Sequence, residues 1–169
     1  DRSPNGREVG ICHDITVAEA GADFPMFAGK PAVFDSLAIH YDEVTSLPPG
    51  ATVLASNAHS PVQAAVFNAG KGVFWGVQYH PEFSLAHMAR LIRRYGPDMV
   101  TQGIYPDQAA MDRETGEMLQ LEAVSDLSSA AAGELIAGLK TGITVADPAQ
   151  RNREIENWLQ FCKELAVGK

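Results

Sequence analysis

Cysteine is nearly absent from this chain of 169 residues. Cys12 and Cys162 are the only two, too few for a disulfide framework or a four-ligand zinc site, and a reducing cytoplasm is the expected setting. Positive charge is also scarce: 13 Lys and Arg stand against 21 Asp and Glu, a formal net charge of −8. A polyanion would be repelled, so nucleic-acid binding is disfavoured. The one basic cluster, Arg90, Arg93 and Arg94, falls at the end of a predicted helix, where it suits the negative end of the helix dipole. No apolar run approaches the ~20 residues needed to cross a bilayer. The polar opening "DRSPNGREVG" shows no secretory leader and no initiator Met, so Asp1 is expected to be a point inside a longer chain. Glycines at 70, 72 and 76 form no phosphate-cradling pattern, and no cofactor is expected.

What is present divides into two halves. Glu8 to Val17 reads as extended, and "LAIHYDEVTSLPPG" as a short apolar run ending in a polar loop. Three strand candidates follow at Ala51–Ser56, Val62–Phe67 and Val73–Tyr79, the last two joined by the hairpin loop Asn68-Ala69-Gly70-Lys71-Gly72. From Ser84, a plausible N-cap, the period becomes helical. Leu85, Met88, Leu91, Ile92 and Tyr95 form one apolar face, and Gly96-Pro97 ends it. Two more helices are expected in "DQAAMDRETGEMLQLEAV" and "SAAAGELIAGLKTGI". A final one opens at Asp147-Pro148 and carries the stripe Ile155, Trp158, Leu159, Cys162, Leu165, with Cys162 read as core.

The strand–turn–helix stretch "GKGVFWGVQYHPEFSLAHMARL" carries the chemistry. Pro81 fixes its own φ and pushes His80 into extended backbone. In extended chain, residues two apart point to the same side, so His80 and Glu82 can meet. A carboxylate on one ring nitrogen sets the tautomer and favours the imidazolium. The other nitrogen is then able to take a proton from a nucleophile, as in the base-and-orienter half of a catalytic triad. The plainer alternative is a turn that stops a strand and starts a helix, with Glu82 near the positive helix end. A metal site from His80, Glu82 and His87 is not expected, because Pro81 breaks the element between them and no fourth ligand is marked. His13 and His59 sit in polar surroundings and are expected to be solvated.

"WGVQYHPEF" resembles the motif that closes the active site of class I, triad-type glutamine amidotransferases, in its setting between a strand and a helix. "GREVG", "IHYDEVTSLPPGATVLASN" and "VQAAVF" resemble other segments of that family in order and spacing. "RNREIENWL" is similar to the helical tail of relatives of the GMP synthase glutaminase domain. The resemblance implies a flavodoxin-like α/β sandwich, incomplete at the N-terminus. Residues 1–96 would be the C-terminal part of the amidotransferase domain, and 97–169 a helical extension packed on it. It implies hydrolysis of the glutamine side-chain amide through a Cys-His-Glu triad. His80 would be the general base and acid and Glu82 its orienter, and the backbone at His40 and Tyr41 would help hold L-glutamine. A synthase partner or a homodimer fits such a unit; a membrane or nucleic-acid partner does not.

The nucleophile departs from the pattern. The family places its Cys in a Gly-x-Cys-x-Gly elbow between a strand and a helix, where small residues are required. Cys12 follows Gly10, but Asp14 replaces the second Gly. The expectation is therefore a Cys upstream of Asp1 and no activity from residues 1–169 alone. Two other functions stay open: a γ-glutamyl peptidase with the same triad, and a non-catalytic regulatory module on the same scaffold. The ammonia acceptor is not legible.

Overall fold

The computed structural model describes residues 1–167. Five strands, β1 (Glu8–Val17), β2 (Val33–His40), β3 (Thr52–Ser56), β4 (Ala64–Ala69) and β5 (Gly72–Val77), form one sheet in the order β2-β1-β3-β4-β5. Every pairing among them is antiparallel. Between β1 and β2 lie a short helix α1 (Glu19–Ala22) and a 3₁₀ turn, Pro25–Phe27. The remainder is helical: α2 (Leu85–Arg94), α3 (Gly96–Thr101), α4 (Gln108–Glu122), α5 (Ala130–Gly138), α6 (Ile143–Ala146), α7 (Pro148–Arg151) and α8 (Arg153–Val167).

Alternation along β1 creates two cores, one on each face of the sheet. Val9 and Ile11, with Leu37 and Ile39 of β2, meet Leu85, Met88 and Ile92 of α2 and Met111, Met118 and Leu121 of α4. Cys12, Ile15, Phe34, Ala38, Leu54 and Tyr79 pack on the opposite face with Met26 and Phe27. Gly10 is held at φ +88°, a conformation that favours glycine, and Glu114, Ile92 and Met118 crowd the space where a β-carbon would stand. The register of β1 on β2 shifts between Cys12 and Ile15. Asp14 takes φ 53° there, and its N–H donates to Asp35 Oδ1 at 3.0 Å, a bulge closed by a side chain.

Helix α2 starts as its sequence dictates. Ser84 Oγ accepts from the His87 N–H at 3.0 Å, and Glu122 of α4 accepts from the Leu85 N–H at 2.8 Å, so two otherwise orphaned donors are satisfied. The tail departs from expectation. The chain opening at Asp147 breaks at Asn152, giving α7 and α8 rather than one helix. Its stripe is largely exposed, Trp158, Leu159 and Leu165 at 45–53%, and Cys162, read as core, is half-buried. The strand expected at Val73–Tyr79 ends at Val77, with Val73, Phe74 and Val77 exposed. Phe74 stacks on Phe67 at 4.7 Å, while Trp75 packs on Phe24 and on Phe161 of α8. Among the described residues no helix is long and apolar enough to cross a membrane.

Two glycines test this packing. A β-carbon at Gly21 would collide with the Leu54 carbonyl oxygen, whereas at Gly133 of α5 it meets open space. Gly21→Ala is expected to lower unfolding stability by about 1–3 kcal/mol, and Gly133→Ala to raise it by about 0.5–1 kcal/mol. Chemical denaturation of both variants measures the contrast.

Candidate active site

Two backbone bonds carry the chain from one edge of the sheet to the other. The Gln78 N–H donates to the Gln63 carbonyl at 2.8 Å, and the His80 N–H donates to the Leu37 carbonyl of β2 at 2.7 Å. Tyr79, between them, is buried. The segment beyond β5 therefore closes against β2, and His80 emerges at that junction. Its Nδ1 lies 2.8 Å from Glu82 Oε1. A carboxylate only accepts, so the ring proton sits on Nδ1 and Nε2 carries the lone pair. Among the described residues Nε2 has no hydrogen-bond partner. The imidazole lies parallel to Phe83, 4.1 Å between centroids and 2° between planes, and Phe83 tilts against His87 at 4.2 Å. The side chains of His80 and Glu82 are 31% and 52% exposed, so a reactant can reach the pair. No group of three or more His, Cys, Asp or Glu among the described residues is arranged to hold a metal ion.

His40 ends β2, three residues beyond Leu37. Three residues of strand span about 10 Å, which separates its loop from the His80 backbone anchor. Neither side chain of the His40–Tyr41 pair is unengaged. His40 Nδ1 meets the Asp42 carbonyl at 2.9 Å and Nε2 meets Glu8 Oε2 at 2.8 Å. Tyr41 Oη accepts from Arg7 Nη1 at 2.8 Å and donates to Gln102 Oε1 at 3.2 Å. Its ring lies under the guanidiniums of Arg2 and Arg7. The Tyr41 carbonyl accepts from the Ser3 N–H at 3.0 Å.

Cys12 is sealed inside the second core at 0% exposure. Its thiol donates to Glu8 Oε1 at 3.1 Å. Burial pushes the thiol far above its ordinary range, and the Glu8 charge pushes it further. A thiol kept protonated beside an anion is no nucleophile. His13, on β1, is exposed as expected, with Nδ1 3.5 Å from Asp35 Oδ2. His59 differs from expectation: it is half-buried, and its Nε2 is enclosed without a partner among the described residues.

A family model described as glutamine amidotransferase class-I matches residues 5–95. The chain belongs to the class I glutamine amidotransferase family. The chain is 38% identical over 91 residues to the gamma-glutamyl-L-1-hydroxyisopropylamide hydrolase of a Pseudomonas species, a match covering 54% of the chain and 30% of that hydrolase. It is 31% identical over 161 residues to the glutamine-hydrolyzing GMP synthase of Brucella melitensis, covering 84% of the chain and 31% of the synthase. Its fold is shared with a glutamine amidotransferase from Thermotoga maritima at TM-score 0.50 and 23% identity, over 82% of the chain and 53% of that protein. The chain thus spans about a third of the length of these two curated relatives and about half of the solved one.

One feature of the chain escaped the sequence reading. Glu8 is buried and accepts from four side chains: Cys12 at 3.1 Å, and His40, Asn57 and Gln63 at 2.8 Å each. These donors come from β1, the end of β2, the loop after β3 and the approach to β4. A glutamate in the same strand phase as buried Gly10 and Cys12 was the available signal. Burial alone would raise the Glu8 carboxyl, but the hydrogen bonds outweigh it and bring its pKa from 4.5 down to about 2. A lowered folded value stabilises the fold above pH 4.5, and that contribution fades as pH falls from 4.5 toward 2. Glu8→Gln is expected to cost on the order of 3 kcal/mol at pH 7. Urea unfolding of both proteins across that window checks it: the gap narrows on acidification, and a gap independent of pH would disprove the assignment.

Proposed function

We propose that the protein containing these residues hydrolyses the side-chain amide of L-glutamine to glutamate and ammonia, with His80 as general base and acid and Glu82 as its orienter. The observation carrying this reading is the 2.8 Å Nδ1–carboxylate bond at an exposed turn, with Nε2 unengaged. The nucleophile is a cysteine ahead of Asp1. Two features support that placement: the burial of Cys12 and the shorter span of this chain against its relatives. In the reaction, His80 Nε2 takes the thiol proton and the sulfur adds to the amide carbon. The same proton passes to the departing nitrogen, and ammonia leaves a γ-glutamyl thioester. His80 then deprotonates water, which adds to the thioester carbon. Collapse gives glutamate, and the thiol regains its proton. The imidazolium formed at each proton transfer is stabilised by Glu82. This route uses no cofactor.

The backbone around His40 and Tyr41 holds the glutamine α-amino and carboxylate groups, their side chains being committed to Glu8, Arg7 and Gln102. Residues 1–96 form the end of the amidotransferase domain, and 97–169 a helical extension of the same unit in a cytoplasmic protein. The ammonia passes to a synthase partner or into solution. A second reading keeps the triad and widens the substrate to other γ-glutamyl amides; the similarity to the Pseudomonas hydrolase favours it.

Ammonia release by the full-length protein from glutamine, compared with γ-glutamyl dipeptides and alkylamides, separates the two readings. In either case His80→Asn is expected to cut turnover by about 10²–10⁴ with an unchanged circular dichroism spectrum. A near wild-type rate would remove His80 from the mechanism.

A further inference from the structure

The tail segment "RNREIENWL" takes no part in the chemistry above, yet it supplies the most deeply buried ion pair among the described residues. Lys30 Nζ lies 2.6 Å from the Glu154 carboxylate, with side-chain exposures of 0% and 4%. The ammonium also stands over the Phe34 ring at 4.4 Å. The remaining partner is Tyr79, whose hydroxyl donates to Glu154 Oε1 at 2.7 Å. The three groups come from α8, the loop before β2 and the residue immediately preceding His80. Burial and the Glu154 charge hold the phenol well above its ordinary range, so it remains the donor.

Two details tie this cluster to the site. Asn157, one turn along α8, donates from Nδ2 to the Met26 and Ala28 carbonyls at 2.9 and 3.0 Å. This fixes the helix to the segment that leads into Lys30. On the other side of His80, buried Pro81 lines a narrow groove shared with Ile155 and Trp158 of α8. Both chain neighbours of His80 therefore face α8. A buried ion pair is weak support for stability on its own, because desolvation consumes most of the attraction. A charge-assisted hydrogen bond is nevertheless short and directional, and this one locks the side chain adjoining the proposed base.

We infer that Glu154, acting through Tyr79, is a positioning residue that fixes the backbone at His80 and so aims its imidazole. The inference rests on the role proposed for His80. It makes the helical tail part of the catalytic frame, although the tail lies more than seventy residues from the histidine.

Tyr79→Phe tests it in the full-length protein, since the variant removes the phenol oxygen and leaves the Lys30–Glu154 pair intact. Two quantities are read. One is the downfield proton resonance of His80 Nδ1–H, identified by its loss in His80→Asn. The other is the split between kcat and KM for the γ-glutamyl substrate. The resonance is expected to shift or broaden, and kcat to fall about 10-fold with KM nearly unchanged, as slight misalignment of a reacting group predicts. Asn157→Ala, which loosens α8 without touching Tyr79, is expected to lower the melting temperature and leave the resonance in place. Should Tyr79→Phe fail to fold, the double variant Lys30→Met, Glu154→Leu removes the acceptor of the phenol together with both charges and is expected to shift or broaden the same resonance; an unmoved resonance there would equally overturn the inference. An unmoved resonance in Tyr79→Phe, or an equal movement in Asn157→Ala, would overturn the inference. A wild type that releases no ammonia would instead defeat the proposed chemistry, and the resonance would still decide the positioning.

Discussion

Everything at the candidate site depends on one hydrogen bond, from His80 Nδ1 to Glu82 at 2.8 Å, and on the proline between them. His80 to Phe83 form a turn rather than extended chain: the Phe83 N–H donates to the His80 carbonyl at 3.3 Å, Pro81 supplies the fixed φ at its second position, and the turn folds the Glu82 carboxylate back onto the His80 ring. The bond consumes one ring nitrogen and leaves the other as a base facing outward. Stacking on Phe83 at 4.1 Å removes the ring's freedom to rotate away. The turn thus fixes three properties of the imidazole together: its tautomer, its direction and its exposure.

Such a turn holds its geometry only if its ends are anchored, and the fold anchors both. On the strand side, His80 is bonded to Leu37 of β2 through its own backbone, and Tyr79 is bonded to Glu154 of α8. On the helix side, Ser84 and Glu122 satisfy the first N–H groups of α2. The sheet has its own polar node in Glu8, which joins β1 to the end of β2 and to the connection between β3 and β4. Glu8 and Glu154 are both carboxylates 8% exposed or less, and each is surrounded by donors from distant segments. Buried charges of this kind are tolerable only when fully partnered. Each therefore disfavours packings in which its donors go elsewhere.

Sequence showed the local part of this arrangement and missed the long-range part, for a physical reason. The His-Pro-Glu turn, the Ser84 cap and the apolar face of α2 are consequences of neighbours within four residues, and such neighbours are visible in a linear string. The stripe on α8 was visible too, but periodicity reveals a face without saying what covers it; Trp158 and Leu165 stand half exposed. Nothing local in Lys30 or Glu154 announces that they meet across 124 residues. Glu8 was the recoverable omission, since its strand phase already assigned it to the interior.

The proposed chemistry divides the labour: residues 1–169 would supply base and orienter, and a cysteine from outside them the sulfur. The most direct measurement is peptide mapping of the full-length protein after reaction with an electrophilic γ-glutamyl analogue, with and without His80→Asn. The account predicts a single adduct on a cysteine preceding Asp1, lost when His80 is replaced. An adduct on Cys12 or Cys162, or labelling indifferent to His80, would contradict it.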